Sequence, residues 1–240
     1  MTQLLYQTDS YLKEFQANVL AVDEEAHAVI LDQTAFYPGG GGQVADKGTL
    51  KFNGMEAKLV RAKHGPNGIL HILEAEYSLP EVGTEVTGIL DWDLRYKNMR
   101  THTAMHILCG TIYRDYGAHV TGGDMEPLKG RMDFEFESMT RELVDVIDAA
   151  VNKEVAAARD IRVAILPREE AFQIPDLIRT KISLLPENIK EVRTVEIVGL
   201  DLQADGGTHV KNTSEVGRMH VVDYKSKGKI NKRIYVELDE

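Results

Sequence analysis

The sequence predicts an α+β protein. A small N-terminal β-barrel domain over residues 1–90 precedes a two-layer α+β domain with a largely antiparallel sheet over residues 91–240. Three observations carry this expectation. Before residue 90, short apolar runs recur at regular spacing between turn signals. At Asp91 the apolar period changes to between three and four. Beyond Tyr116, strand patterns and one further amphipathic pattern follow in an order that suits helices on one side of an antiparallel sheet.

The apolar runs of the first half are Asn18 to Val22, Ala28 to Leu31, Thr49 to Phe52, Lys58 to Ala62, Ile69 to Leu73 and Glu85 to Leu90. Asn53-Gly54 between two of them is the signature of a two-residue hairpin turn. Within this region lies Phe36-Tyr37-Pro38-Gly39-Gly40-Gly41-Gly42-Gln43. Four successive glycines are conformationally expensive, so a fold that keeps them uses their φ freedom or their lack of side chains. No Gly-Lys-Ser/Thr follows, which excludes a phosphate-binding P-loop, and the glycines lack the spacing of a dinucleotide fingerprint. A flexible loop or bulge and a binding loop stand equally open on physical grounds.

From Asp91 to Tyr116, Leu94, Met99, His102, His106, Cys109, Ile112 and Tyr113 recur at helical spacing, with Asp91 as N-cap and Gly117 as stop. Strands are expected at Ala118 to Thr121 and Gly130 to Phe136. A second helix runs from Thr140, its cap, to Ala158. A strand at Ile161 to Leu166 leads to an irregular region broken by Pro167, Pro175 and Pro186. Strands resume at Glu191 to Leu202, Gly217 to Asp223 and Ile230 to Leu238.

Composition narrows the class. Over 240 residues, 43% apolar and 28% charged content are ordinary for a soluble globular protein. No apolar run approaches the roughly 18 to 20 residues of a membrane span, so no membrane partner is expected. The N-terminus does not read as a secretory signal, and the single cysteine, Cys109, suits a reducing compartment; the cytoplasm is the expected location. A net charge of -10 argues against a non-specific nucleic-acid binder but leaves room for a local basic patch. Arg95, Lys97 and Arg100, and Lys225, Lys227, Lys229, Lys232 and Arg233, are the candidates, most of them expected to be solvated faces balancing nearby acids.

The chemistry concentrates in two stretches. His102 and His106 are four apart on a helix, so both imidazoles leave one face. About a hundred residues later, Asp205-Gly206-Gly207-Thr208-His209 adds a carboxylate and a third imidazole around a glycine pair that lets the backbone bend sharply. Two helix histidines plus a distant His or carboxylate is a common construction for a transition-metal site. Thr103 stands where a zinc protease needs its glutamate base, which excludes that class. Cys109 lies about 10 Å along the helix axis from His102, too far to share one ion, and reads as a small buried apolar residue. His27, His64, His71, His119 and His220 have no such partner and read as structural.

Arg100-Thr101-His102-Thr103-Ala104-Met105-His106, the Gly206-Gly207-Thr208-His209-Val210 loop and the four-glycine segment together resemble the alanyl-tRNA editing proteins of the AlaX family, medium-sized class. These are free-standing relatives of the editing domain of alanyl-tRNA synthetase. Arg131-Met132-Asp133-Phe134 and Thr213-Ser214-Glu215-Val216-Gly217 also match, so the resemblance covers nearly the whole chain. It implies zinc-dependent hydrolysis of the ester in seryl-tRNA(Ala), with glycyl-tRNA(Ala) as a further candidate. His102, His106 and His209 are implied metal ligands, on one Zn2+ per chain. The family's cysteine ligand is replaced here by Asp205, a harder oxygen donor, which either binds the metal directly or holds a water on a three-histidine site. Thr121 matches the position that contacts the serine hydroxyl. Gly206 and Gly207 let main chain approach the substrate. Gly39, Gly40, Gly41, Gly42 and Gln43 form a loop near the tRNA end. No segment suggests an aminoacylation domain, and ATP is not implied. The competing readings are a tRNA-binding module of this fold that has lost hydrolysis, and an unrelated metal-dependent ester or amide hydrolase.

Overall fold

A computed structural model describes residues 2–178 and 189–240. It divides into two compact units, Met1–Tyr96 and Lys97–Glu240. Pro186, expected in the irregular region, lies outside the described residues.

The first unit is built on strands. In chain order they are β1 (Gln3–Leu4), β2 (Glu14–Asp23), β3 (Ala28–Leu31), β4 (Gln33–Thr34), β5 (Gly48–Phe52), β6 (Met55–Gly65), β7 (Gly68–Leu73) and β8 (Glu85–Leu90). Six of these close into an antiparallel barrel in the order β2-β3-β7-β6-β5-β8, while β1 and β4 pair separately. Each apolar run of the sequence falls on a barrel strand. Period-two alternation turns Phe15, Ala17 and Val19 of β2 and Ala57 and Leu59 of β6 inward, onto Leu31, Leu50, Phe52, Leu73 and Val86. The Asn53-Gly54 turn joins β5 to β6 with both residues at positive φ, 48° and 76°, as a type I′ hairpin requires. Opposite Phe15, β8 carries Gly88, where a Cβ would sit 2.4 Å from the Phe15 ring; the aromatic fills the space that the glycine leaves.

The second unit begins inside the helix α1 (Trp92–Tyr116). Asp91 caps it, accepting from the Leu94 amide at 3.2 Å, and Gly117 ends it at φ 64°. After it come β9 (Val120–Glu126), β10 (Lys129–Glu135), α2 (Arg141–Ala156), β11 (Ile161–Pro167), the single turn α3 (Arg168–Ala171), β12 (Glu191–Ile197), β13 (Asp201–Ala204), β14 (Met219–Ser226) and β15 (Asn231–Leu238). The strands form two antiparallel sheets, β14-β15-β10-β9 and β11-β12-β13. Thr140 caps α2 as expected, its hydroxyl accepting from the Leu143 amide. Asp148 and Asn152 of α2 tie that helix to the main chain of Met219 and Val221 on β14.

Two expectations are corrected here. The run Glu191 to Leu202 is not one strand but a hairpin, β12 and β13, turning at Gly199 with φ 75°. And α1 is not amphipathic in its middle: every residue from 98 to 112 is buried, so the helix is enclosed on all sides rather than laid on a surface.

Candidate metal centre

The enclosed part of α1 carries the first half of the site. His102 and His106, one turn apart, have ring centroids 5.1 Å from each other. The chain returns from β13 through Asp205 to His209, whose ring lies 4.3 Å from that of His102 and 4.7 Å from that of His106. His102, His106, Asp205 and His209 each offer one ligand atom, and all four atoms lie within 4.8 Å of one another. His102 Nε2 is 3.5 Å from Asp205 Oδ1 and His209 Nε2 is 2.9 Å from Asp205 Oδ2. Ligands ~2 Å from a tetrahedral ion stand about 3.3 Å apart, so these separations fit a small cation. Sequence reasoning picked the same four residues, and the fold brings them together.

The return loop is held from several sides. The Gly207 amide donates to Asp205 Oδ2 at 2.8 Å, an Asx turn that aims the carboxylate inward. Arg193, on β12, donates from Nη1 to the Asp205 carbonyl at 2.9 Å, and the Asp205 amide donates back to the Arg193 carbonyl. Thr103 Oγ1 lies 3.2 Å from His209 Nδ1 and accepts from the Val210 amide. The chain bends at Gly207, as expected of the glycine pair, and it does so without a positive φ at either residue. What Gly206 supplies is room: it is exposed, and a Cβ there would meet nothing within 4 Å.

Electrostatics prepare these groups as ligands. Burial, helped by the charges of His209 and His106, holds His102 well below its ordinary value despite the nearby Asp205. Burial likewise lowers His209 to about 4, against its hydrogen bond with Asp205. Both imidazoles are therefore neutral near pH 7, with lone pairs to give. Asp205 moves the other way from its burial: the imidazoles of His102 and His209 hold its carboxyl well below the usual carboxylate range. Burial pulls His106 down, but Asp201 and Asp205 together outweigh it and raise the imidazole above its ordinary value. Two neutral imidazoles and a buried carboxylate, 12% exposed, make a donor set suited to a cation.

The remaining candidates have contacts of their own. Thr121 is exposed on β9 and its hydroxyl bonds Asn231 Oδ1 at 2.8 Å, not one of the four clustered side chains. Gly39, Gly40, Gly41 and Gly42 all have positive φ, from 57° to 132°. They form a closed turn, with reciprocal main-chain hydrogen bonds between Gly40 and Gln43. Gln43 itself is buried, so this loop presents main chain rather than that side chain. Three residues of the suggested basic patch are internal; one of them, Lys232, donates from Nζ to the carbonyls of Gly228 and Lys229. Arg95 is completely buried against Asp46, and Arg100 donates to the carbonyls of Val216 and Asp239. Their charge serves the fold, not a surface.

Sequence reasoning passed over Asp201 and Thr103, which touch the back of the histidine cluster. A signal existed for the first. Alternation along β13 puts Asp201 and Gln203 on one side of the strand, directly ahead of Asp205 in the chain.

Known proteins similar to this chain point to its family. Residues 6–94 match the family model described as tRNA synthetases class II (A), and residues 192–235 match that of the threonyl and alanyl tRNA synthetase second additional domain. Both stretches are thus similar to segments of tRNA synthetases. The alanyl-tRNA editing protein AlaX-M of Saccharolobus solfataricus is 43% identical over 237 residues, 98% of both chains. That of Methanosarcina mazei is 38% identical over 244 residues, 99% of this chain and 97% of the relative. The alanine–tRNA ligase of Ignicoccus hospitalis is 38% identical over 227 residues, 92% of this chain but 24% of the ligase. The chain belongs to the AlaX-M family of alanyl-tRNA editing proteins.

Proposed function

We propose that the chain is a metal-dependent aminoacyl-tRNA hydrolase that clears mischarged tRNA(Ala), with seryl-tRNA(Ala) as its main substrate and glycyl-tRNA(Ala) as a second. The observation that carries this reading is the His102–His106–Asp205–His209 cluster in a chain that aligns over 98% of an alanyl-tRNA editing protein. The proposed ion is Zn2+, which three imidazole nitrogens and one carboxylate oxygen suit in number and type. When bound, it would either lower the pKa of a water or anchor the substrate amino group.

The chain's own residues do the rest. His102, His106 and His209 hold the ion, and Asp205 is the fourth ligand, a harder donor than the cysteine of the resembling family. Gly206 leaves its flank open for the ester and the terminal adenosine, and Gly207 fixes the Asp205 carboxylate through its amide. Thr121 offers the hydroxyl that distinguishes serine from alanine. Gly39, Gly40, Gly41, Gly42 and Gln43 support the tRNA end through main chain. An aminoacyl ester is already activated, so the reaction needs water and positioning but no ATP.

The test is deacylation of purified seryl-tRNA(Ala), with the metal content of the protein measured alongside. His106→Ala loses both metal and activity. Asp205→Cys keeps or tightens zinc binding. Hydrolysis no faster than the spontaneous rate in metal-loaded protein would overturn the proposal in favour of a tRNA-binding module. Hydrolysis of small esters without any dependence on tRNA would overturn its substrate.

A further inference from the structure

Behind the histidine cluster lies a carboxylate with no role in the reading above. Asp201, the first residue of β13, has a completely buried side chain, and its Oδ2 is 3.4 Å from Nδ1 of His106. That nitrogen is buried and meets no polar atom in close hydrogen-bond geometry, and the Asp201 carboxylate faces it at an ion-pair distance. Gln203, two residues along the strand, donates from Nε2 to Asp201 Oδ2 at 2.6 Å while also lying 3.3 Å from Cys109 Sγ on α1. A buried carboxylate is costly unless charge or hydrogen bonds compensate it, and here both come from the metal-site side of the fold.

The seat for this carboxylate is built into the helix. Gly110 stands on α1 one turn beyond His106, where a Cβ would be 2.8 Å from Asp201 Cβ and 3.1 Å from Leu200 Cγ. Any larger residue at 110 forces β13 away from the helix. The absent side chain of Gly110 thus sets how near Asp201 comes to the imidazole.

We infer that Asp201 is a positioning residue for the metal centre: it holds the proton of His106 on Nδ1, so that Nε2 presents its lone pair to the ion. A histidine ligand depends on the group behind it for its tautomer and ring orientation, and losing that group costs about 10–100-fold in metal affinity. Thr103 stands in the same relation to His209, its hydroxyl 3.2 Å from Nδ1 while Nε2 faces Asp205. One stretch of chain therefore supplies both carboxylates of the site, Asp201 at the start of β13 behind a ligand and Asp205 just past its end toward the ion. The consequence is that neither Asp201 nor Gly110 touches substrate, yet both set metal affinity.

The inference rests on the metal-dependent reading, and the experiment separates the two. Zinc affinity of the full chain is measured by competition with a chromogenic chelator for wild type, Asp201→Asn and Gln203→Ala, together with the ring-nitrogen NMR shifts of His106 in the zinc-loaded proteins. Asp201→Asn is expected to weaken zinc about 10–100-fold and to move the Nδ1 shift of His106. Gln203→Ala, which keeps the carboxylate but removes its donor and leaves a half-exposed position that tolerates alanine, is expected to fall between the two. Urea unfolding in excess chelator should show Asp201→Asn as stable as wild type, which excludes general damage. Equal zinc affinity in wild type and Asp201→Asn, or an unmoved His106 shift, would overturn the inference while leaving the metal site standing. A wild-type chain that takes up no zinc would overturn both.

Discussion

Asp46→Ala tests how the barrel unit holds its glycine-rich loop. Arg95 and Asp46 are 0% and 1% exposed at their side chains. The Arg95 Nε lies 3.0 Å from both Asp46 oxygens, Nη2 also bonds Asp46, and the guanidinium reaches the carbonyls of Ser10 and Ala35. Asp46 Oδ2 in turn accepts from the Tyr37 amide at 2.6 Å, two residues before the first of the four glycines. Removing the carboxylate leaves a desolvated cation whose neutral partners do not balance its charge, which costs about 3–5 kcal/mol. It also orphans the Tyr37 amide, a further ~1–3 kcal/mol. Against the 5–15 kcal/mol typical of a domain, the loss is expected to shift urea unfolding of this unit decisively. Trp92, the only tryptophan, stacks on Tyr96 within that unit and reports its unfolding by fluorescence. The double variant Asp46→Ala, Arg95→Met removes the charge as well and should recover most of the loss, to within about 1–3 kcal/mol of wild type. A single variant within ~1 kcal/mol of wild type, or a double variant as unstable as the single, would refute the argument that burial of an unpaired charge dominates.

Three further outcomes are expected. His71 is buried between Thr34 Oγ1 and the Val29 carbonyl, and burial lowers it from 6.5 to about 4. Because its folded value lies below the unfolded one, the unfolded chain binds the extra proton. Stability is therefore lost as pH falls from about 6.5 to 4, by roughly 3 kcal/mol in all. His71→Gln should show a flatter pH dependence of unfolding than wild type over that window, and an identical slope would count against the assignment. Gly206→Ala should leave unfolding unchanged, since its backbone is unstrained and its Cβ position is open, yet reduce deacylation if substrate approaches there; urea titration and the tRNA assay check each half. Thr121→Val should lower the ratio of seryl to alanyl ester hydrolysis without altering zinc content, as read by parallel kcat/KM measurements.

Legibility in the sequence followed locality. The Asn53-Gly54 hairpin, the Thr140 cap and the His102–His106 pair are fixed by residues within a turn of one another, and each appears where the sequence pointed. The β12–β13 turn escaped because Val198-Gly199-Leu200 continues an apolar run, and only the positive φ of Gly199 marks the reversal. Arg95 and Arg100 were misplaced for a different reason. Composition treats arginine as a surface charge, whereas Asp46, 49 residues away, and the Val216 carbonyl, 116 residues away, make each a buried strut. Asp205 and His209 could be picked by donor chemistry, but Asp201 and Gly110 gain meaning only once β13 lies against α1.

The two halves of the metal cluster are roughly a hundred residues apart in the chain, and bringing such distant points together carries an entropic cost that grows only slowly with loop length. An ion held by His102, His106, Asp205 and His209 is therefore a reversible cross-link within the Lys97–Glu240 unit as well as a chemical reagent. At a hundredfold excess over its dissociation constant it adds about 2.7 kcal/mol to folding. On the proposed reading, removing the ion lowers the stability of this unit by that amount, which urea unfolding with and without chelator measures.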